Sequence, residues 1–383
     1  MEILLISRGY PSKRKPRMGI FEKDQALALQ ALGHKVIIMS VELTYYWRKI
    51  GLFHSSENGL EIYSIGFPNI FIRITQKWAF TICRKLALIL YKKIEKEHGK
   101  PDILYAHYLN NIAIAAEIKK RYNIPLAGIE HWSKLTQKKL PQYILDRGNL
   151  AYGMADQIIT VSASLQKQVL YHFNKESIVV HNMVGSEFVM NTIYNKERKI
   201  ESTIKFVSVG SLIWIKGFDI LIDAFHKSGL KEKGVVITII GKGQVVGDVI
   251  VEALQKQIMD AGLSDNIFLV GQKERKEIIE ILKDSDVFVL SSRAETFSVV
   301  CIEALSLGLP VIATECGGPE EFINEKNGLI VPPNDSDALS AAMQTMYHTF
   351  SNYDRKMIVE ECRQQFSPTA IAEKLTAIFE EVI

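Results

Sequence analysis

The sequence predicts an α/β protein of two Rossmann-like domains, each a doubly wound parallel sheet, the two facing across a cleft. Three observations predict it. The chain has 383 residues, more than one ordinary core serves. Short apolar runs of strand length alternate with stretches of helical periodicity from the first residue onward. The same alternation restarts after residue 200, so each half builds its own sheet, with helices covering both faces.

The elements follow in order. Glu2–Ser7 is an apolar run fit for a strand buried on both faces. Phe21–Leu32 carries a helical apolar stripe that Gly33 stops, and Val36–Met39 is the next strand. Ile103–Ala106, Leu126–Ile129 and Gln157–Val161 continue the first sheet, with a helix from about Asn111. In the second half the strands are Ile204–Val209, Val235–Ile240, Ile267–Val270, Val287–Leu290, Val311–Ala313 and Gly328–Val331, with a helix at Phe218–Phe225. Residues 1–190 are thus an N-terminal domain, 191–202 a polar linker and 203–366 a C-terminal domain. A last helix, at about 367–383, is expected to pack back on the first domain.

A hydrophobic share of 47% and a charged share of 23% are those of a globular protein. The four cysteines, Cys83, Cys301, Cys316 and Cys362, lack the spacing of a disulfide framework or a zinc site and suit a reducing compartment. No basic leader precedes the first strand, so no signal peptide is expected. The most apolar stretch, Trp78–Tyr91, contains Arg84 and Lys85 and is short of the roughly 20 residues that span a bilayer. A cytoplasmic protein is the expectation.

Charge is distributed unevenly. Residues 1–190 hold 26 Lys and Arg against 15 Asp and Glu, a balance of +11, and the remainder carries −8. Between Ile70 and Lys96, Arg73, Lys77, Arg84, Lys85, Lys92, Lys93 and Lys96 alternate with Phe71, Trp78, Phe80 and Tyr91, and Tyr45–Lys49 precedes them. Such a basic, aromatic stretch predicts peripheral binding to an anionic membrane, on the inner face of the plasma membrane. No nucleic-acid module accompanies the charge, so a nucleic-acid partner is not expected.

The richest segment runs from Ser291 to Pro333. A strand ends at Leu290, and a helix is expected from about Phe297. The N–H groups of Thr296, Phe297, Ser298 and Val299 then have no intrahelical acceptor and form the positive end of the helix dipole, a pocket for a diphosphate. Glu295 stands just before this helix and Glu303 two turns on. The first can reach a sugar beside the phosphates, and the second can accept hydrogen bonds from ribose hydroxyls.

Glu295 and Glu303 are followed by Ala304-Leu305, Gly308–Thr314 and Gly317-Gly318-Pro319-Glu320. This set resembles the signature of the family-four retaining glycosyltransferases, which have the GT-B fold. The resemblance extends to Lys216-Gly217, Gly241-Lys242-Gly243 and Val270-Gly271-Gln272, and in the first half to Gly19-Ile20-Phe21, Gly33-His34-Lys35-Val36, Ala106-His107 and Glu130-His131. It implies a nucleotide-diphosphate sugar donor, UDP- or GDP-linked, held by Gly19, Ser211, Lys216, Gly241, Gln272, Glu295, Thr296, Phe297, Ser298, Val299 and Glu303. Glu295 would hold the transferred sugar, Lys216 would neutralise the diphosphate, and His131 would lie near the reaction centre. His107 and His131 would meet a lipid-linked or polysaccharide acceptor.

A cation and oriented N–H dipoles can stabilise a departing diphosphate without a metal, so no metal or other cofactor is expected. Asp284-Ser285-Asp286 has the letters of a metal-holding pair but falls at a helix-to-strand junction and reads as structural. The sequence departs from the pattern at Ser211, where the family often has arginine, and at Ser298, where it often has glycine. Arg293 is close enough in sequence to replace the missing cation. A dinucleotide-dependent oxidoreductase is disfavoured because Ser7–Ser12 lacks Gly-x-Gly-x-x-Gly. An epimerase on the same fold, or a non-catalytic nucleotide-sugar-binding protein, are the alternatives.

Overall fold

The structure is a computed structural model describing every residue except 13–14, 16–17, 45–49, 69–75, 192–202 and 244–247, and the side chains of 43–44 and 76–77. The chain divides into two compact units, Met1–His181 with Pro368–Ile383, and Asn182–Ser367.

Unit 1 is built on β1 (Glu2–Ser7), β2 (Lys35–Thr44), β3 (Gly51–Glu57), β4 (Leu60–Pro68), β5 (Ile103–His107), β6 (Leu126–Glu130), β7 (Gln157–Thr160) and β8 (Ile178–Val179). Its helices are α1 (Ile20–Ala31), α2 (Gln76–His98), α3 (Tyr108–Tyr122), α4 (Gln142–Met154) and α5 (Ala163–Phe173). The strand order is β3-β4-β2-β1-β5-β6-β7-β8, and every pair is parallel except β3 with β4. The order reverses between β1 and β5, which is where a doubly wound sheet opens a crevice at its carboxyl edge. β5 and β6 are buried along their whole length, as central parallel strands must be.

The edge hairpin β3–β4 is a feature the alternation does not reveal, because β3 is exposed and polar. Its turn is Asn58-Gly59, both at positive φ (52° and 78°) between partners Glu57 and Leu60. That two-residue turn matches the right-handed twist of the strands.

Unit 2 begins earlier than the expected boundary at residue 190. The helix α6 (Ser186–Met190) belongs to it: Glu187 pairs with Arg275 at 3.0 Å, and the Val184 N–H donates to the Phe366 carbonyl at 2.9 Å. The expected linker lies, apart from Asn191, outside the described residues. The second sheet contains β9 (Lys205–Val209), β10 (Val236–Ile240), β11 (Ile267–Leu269), β12 (Val287–Leu290), β13 (Val311–Thr314) and β14 (Gly328–Val331). The helices are α7 (Phe218–Ser228), α8 (Val249–Asp260), α9 (Arg275–Asp284), α10 (Val299–Ser306), α11 (Ser336–Thr349) and α12 (Arg355–Phe366). All six strands are parallel in the order β11-β10-β9-β12-β13-β14, so the crevice of this sheet opens between β9 and β12. Phe206, Leu221, Phe225, Ile237, Val289 and Met343 lie in one core cluster.

The last helix, α13 (Pro368–Val382), belongs to unit 1. Ile371, Leu375 and Phe379 are buried, the Phe379 ring lies 4.9 Å from Tyr105, and Thr376 bonds His34 at 2.8 Å.

Candidate active site

The carboxyl edge of the second sheet gathers the loops that follow β9, β10, β11, β12 and β13. Backbone bonds tie them together. The Gly210 N–H donates to the Ile240 carbonyl, Leu212 to Lys242 and Gly241 to Gly271, each at 2.9 Å. A Cβ on Gly241 would stand 1.8 Å from the Gly210 carbonyl oxygen, so only glycine lets these loops approach. Ser211 and Gln272 are half-buried members of the same cluster of loops.

Lys216 ends a 3₁₀ turn after β9, and Glu295 sits in the loop after β12, on either side of the switch point. Gly217 adopts φ 63° and brings the turn against that loop, its missing Cβ leaving room for the Ser291 carbonyl oxygen, which would be 2.0 Å away. Ser291 Oγ then donates to the Lys216 carbonyl at 3.0 Å. The Lys216 ammonium donates to Glu295 Oε1 at 2.5 Å, Ser292 Oγ donates to the same oxygen at 2.8 Å, and the Glu295 N–H donates to the Cys316 carbonyl at 2.8 Å. A largely buried cation and carboxylate are thus held together at the place where a doubly wound sheet binds ligands.

The helix beyond starts two residues later than expected, at Val299. Phe297 is buried against the rings of Phe322 (5.2 Å) and Phe366 (5.8 Å), which anchors the loop before the helix. Ser298 caps α10 in the left-handed region, φ 75°, a backbone state that favours glycine. Val299 and Val300 open the helix, where N–H groups have no i−4 carbonyl. Thr296 and Glu303 are half-buried, in the loop and on the helix respectively. Across from them Gly318 packs on the Phe297 backbone, where a Cβ would meet Phe297 Cα at 2.5 Å, and Glu320 accepts the N–H groups of Gly317 and Gly318 at 2.9 and 3.2 Å.

Arg293 does not supply the cation expected from its place in the sequence. Its guanidinium forks onto Asp219 at 2.9 and 2.6 Å, bonds the Trp214 carbonyl and Asn334, and lies 4.3 Å over the Trp214 ring. It fastens the β12 loop to α7. Asp286 is buried and accepts the Lys205 N–H at 3.0 Å, while Asp284 pairs with the Lys205 ammonium at 2.6 Å. Both clamp the amino ends of β9 and β12, the opposite edge of the sheet from Lys216.

In unit 1, Gly19 caps α1 at φ 71°, its Cβ position 2.0 Å from the Gly9 carbonyl oxygen, so the loop after β1 closes on itself there. His107 ends β5 and is wholly buried, and the ring of His131, just after β6, stacks on it at 5.4 Å. In this position the His107 ring has no exposed surface and packs on His131. Burial, and then the nearby Arg8 charge, push the His107 pKa down to about 3, so the ring is neutral. Glu130, which ends β6, is buried and accepts N–H groups of Leu109 (2.7 Å), His131 (2.9 Å) and Trp132 (2.9 Å) and the Tyr152 hydroxyl (2.6 Å). Burial raises its pKa against the opposing pull of those donors. Sequence reasoning passed over Arg8 and Tyr108, and named Glu130 only within the Glu130-His131 segment. Of the two passed over, only Tyr108 had a signal, adjoining the Ala106-His107 segment.

Two doubly wound units, one with a cation and carboxylate at its switch point, have the architecture of GT-B transferases. Residues 189–364 match the model of glycosyl transferases group 1, and residues 22–188 that of glycosyltransferase family 4. The chain belongs to the group 1 glycosyltransferases of family four. It is 25% identical over 376 residues to TuaC of Bacillus subtilis (strain 168), a glycosyltransferase provisionally assigned to teichuronic acid biosynthesis, covering 91% of this chain and 90% of that protein. Among solved structures it resembles sucrose-phosphate synthase from Thermosynechococcus elongatus, with TM-score 0.78, 17% identity and coverage of 100% and 98%. It also resembles Anabaena Alr3699/HepE in complex with UDP and glucose, with TM-score 0.73, 18% identity and full coverage of both chains. These two likenesses show the fold.

Proposed function

We propose that the protein is a retaining, metal-independent glycosyltransferase that moves a sugar from a UDP- or GDP-sugar to a hydroxyl group of a cell-surface polysaccharide, lipopolysaccharide or glycolipid precursor. The observation that carries the reading is the Lys216–Glu295 pair at the switch point of unit 2, beside the open N-terminus of α10. A donor entering there exchanges the carboxylate partner of Lys216 for its own diphosphate, which the first N–H groups of α10 also face. Glu295, freed from the lysine, accepts hydrogen bonds from the sugar hydroxyls, and Glu303 accepts those of the ribose.

As the bond between the sugar C1 and the phosphate oxygen breaks, negative charge grows on the diphosphate. Lys216 and the helix dipole stabilise it more in the transition state than in the bound donor. The acceptor hydroxyl forms the new C1–O bond on the face that the phosphate leaves, and its proton passes to the departing phosphate oxygen. The HepE structure holds UDP and glucose, which favours a UDP-hexose, and the name of TuaC favours an envelope polymer as product.

Support for a lipid-linked acceptor comes from α2. Trp78, Thr81, Lys85, Ile89, Lys92 and Lys96 are exposed at helical spacing along it, with Trp78 at 70% and Ile89 at 55%. Arg84 is paired with Glu117 and Lys93 with Glu97, and Phe80 is covered by Arg84 and Arg147. The outer stripe of two apolar side chains and three lysines is what an anionic surface would meet. Arg73, Lys77, Phe71 and Tyr45–Lys49 lie outside the described residues or their side chains. No described helix is long and apolar enough to cross a membrane.

The donor reading is tested by thermal unfolding in EDTA with UDP-, GDP- and ADP-sugars. A ligand at 100 times its Kd stabilises by about 2.7 kcal/mol, and one UDP- or GDP-sugar is expected to do so. Stabilisation that needs added magnesium or manganese would refute metal independence, and none with any sugar nucleotide would refute the donor.

A further inference from the structure

The loop that leaves β1 carries Arg8, Lys13, Arg14, Lys15 and Arg17 and no carboxylate before α1 begins. It starts at the carboxyl edge of unit 1, where the strand order reverses between β1 and β5. Arg8, its first cation, is fixed in place. Its Nε donates to Glu22 Oε1 at 2.9 Å, with Glu22 buried on α1, and its guanidinium lies 3.9 Å over the Tyr108 ring.

Tyr108 is itself held in a costly state. It opens α3 at φ 69°, a region that bulky residues rarely adopt and that tends to mark functional sites. The neighbouring Leu109 N–H donates to the buried Glu130. Arg8 thus spends its Nε and one face of its plane on the protein. Its two outer nitrogens have no hydrogen-bond partner among the described residues, and its side chain is 38% exposed. Glu22 balances the charge of Arg8, so what Arg8 contributes is a rigid fork rather than net charge. A preorganised planar fork in a positive loop suits an oxyanion, which it meets with two parallel N–H···O bonds.

We propose that Arg8 anchors an anionic group of the acceptor, a phosphate or a carboxylate, at the switch point of unit 1. The acceptor is then an acidic molecule, either phosphate-bearing or uronic. This rests on the reading of the protein as a glycosyltransferase whose unit 1 takes the acceptor.

The test is calorimetric titration of the full chain at low salt, with UDP or GDP saturating the donor site so that added anions cannot occupy it. The probes are phenyl phosphate, methyl glucuronide and neutral methyl glucoside. Because removing Arg8 alone leaves Glu22 buried and unpaired, the variant is Arg8→Gln with Glu22→Gln, and Arg8→Lys keeps the charge without the fork. Wild type is expected to bind one anionic probe at least tenfold more tightly than the double variant, with Arg8→Lys between them and methyl glucoside indifferent to all three. Preference for phenyl phosphate assigns a phosphorylated acceptor, and preference for methyl glucuronide an acidic glycan. Equal anion affinity in wild type and both variants would overturn the proposal, leaving Arg8 a cover for Tyr108. Loss of UDP and GDP affinity in the variants, with anion binding kept, would also overturn it, by placing the fork at the donor. Failure of wild type to bind either nucleotide refutes the donor reading instead, and the anion titrations then stand by themselves.

Discussion

At the scale of residues, two carboxylates divide the chemistry. Glu295 and Glu303 are eight positions apart, in a loop and on the helix that follows it, yet they are expected to differ in kind. Glu295→Ala removes a contact to the sugar that develops charge and should lower turnover strongly, whereas Glu303→Ala should chiefly weaken donor binding. Steady-state kinetics separate the two, and wild-type turnover in Glu295→Ala would remove that residue from the mechanism. His107 gives a prediction about stability. The unfolded chain protonates it at about pH 6.5, while the folded chain resists protonation down to about pH 3. The stability gained from keeping the ring neutral is complete above pH 6.5 and drains away as pH falls towards 3. Between pH 6.5 and 5 that is about 2 kcal/mol. Urea unfolding of wild type and His107→Gln at both pH values should show the loss in wild type only, and parallel losses would contradict it. Glu295, Lys216 and His131 could be singled out from the sequence because each follows a strand within an ordered set of motifs, and Glu303 because it lies on the helix after Glu295. Arg8 could not, since its meaning comes from Glu22 and Tyr108, 14 and 100 positions away, which only the fold brings to it. Ser298 shows the converse. The sequence marked it as standing where glycine is usual, and its φ of 75° supplies the reason.

At the scale of elements, apolar runs located the buried central strands to within a residue or two, except that β2 runs five residues past Met39, because parallel strands covered on both faces are written in continuous Val, Ile and Leu. The edge hairpin escaped that signal. Its first strand is exposed and polar, and only the Asn58-Gly59 turn announced it. The late start of α10 has a local cause, since Phe297 turns into the core and Ser298 must adopt the left-handed region before the helix can begin. The helix α2 runs for 23 residues, well beyond the apolar Trp78–Tyr91 stretch, because its amphipathic periodicity continues through lysines and glutamates. Its exposed stripe gives the membrane prediction. Lys85, Lys92 and Lys96, rather than the ion-paired Arg84 and Lys93, should govern association, at about 1 kcal/mol each near an anionic surface. Flotation with anionic liposomes at low salt should recover wild type and largely lose a variant with these three lysines changed to Gln. Equal recovery of both proteins, or of neither, would exclude the helix as the membrane contact.

At the scale of the whole molecule, the two halves of the sequence carry charge balances of +11 and −8. The basic half holds α2 and the cationic loop after β1, while the acidic half holds the Lys216–Glu295 pair and the start of α10. The boundary between the units is where sequence reasoning misplaced the chain, because a short helix at residues 186–190 carries no composition change and is tied to unit 2 by Glu187 with Arg275 and by the preceding Val184 with Phe366. The central claim is that Lys216 and the start of α10 form a metal-free diphosphate site in unit 2. Its most direct test is calorimetric titration of UDP and GDP, in EDTA, into wild type and Lys216→Ala. A charged hydrogen bond is worth about 1.5–3 kcal/mol, so wild type should bind one nucleotide and the variant should bind it roughly 10- to 100-fold more weakly. Equal affinity in the two proteins, or no binding by wild type until a divalent cation is added, would contradict the account.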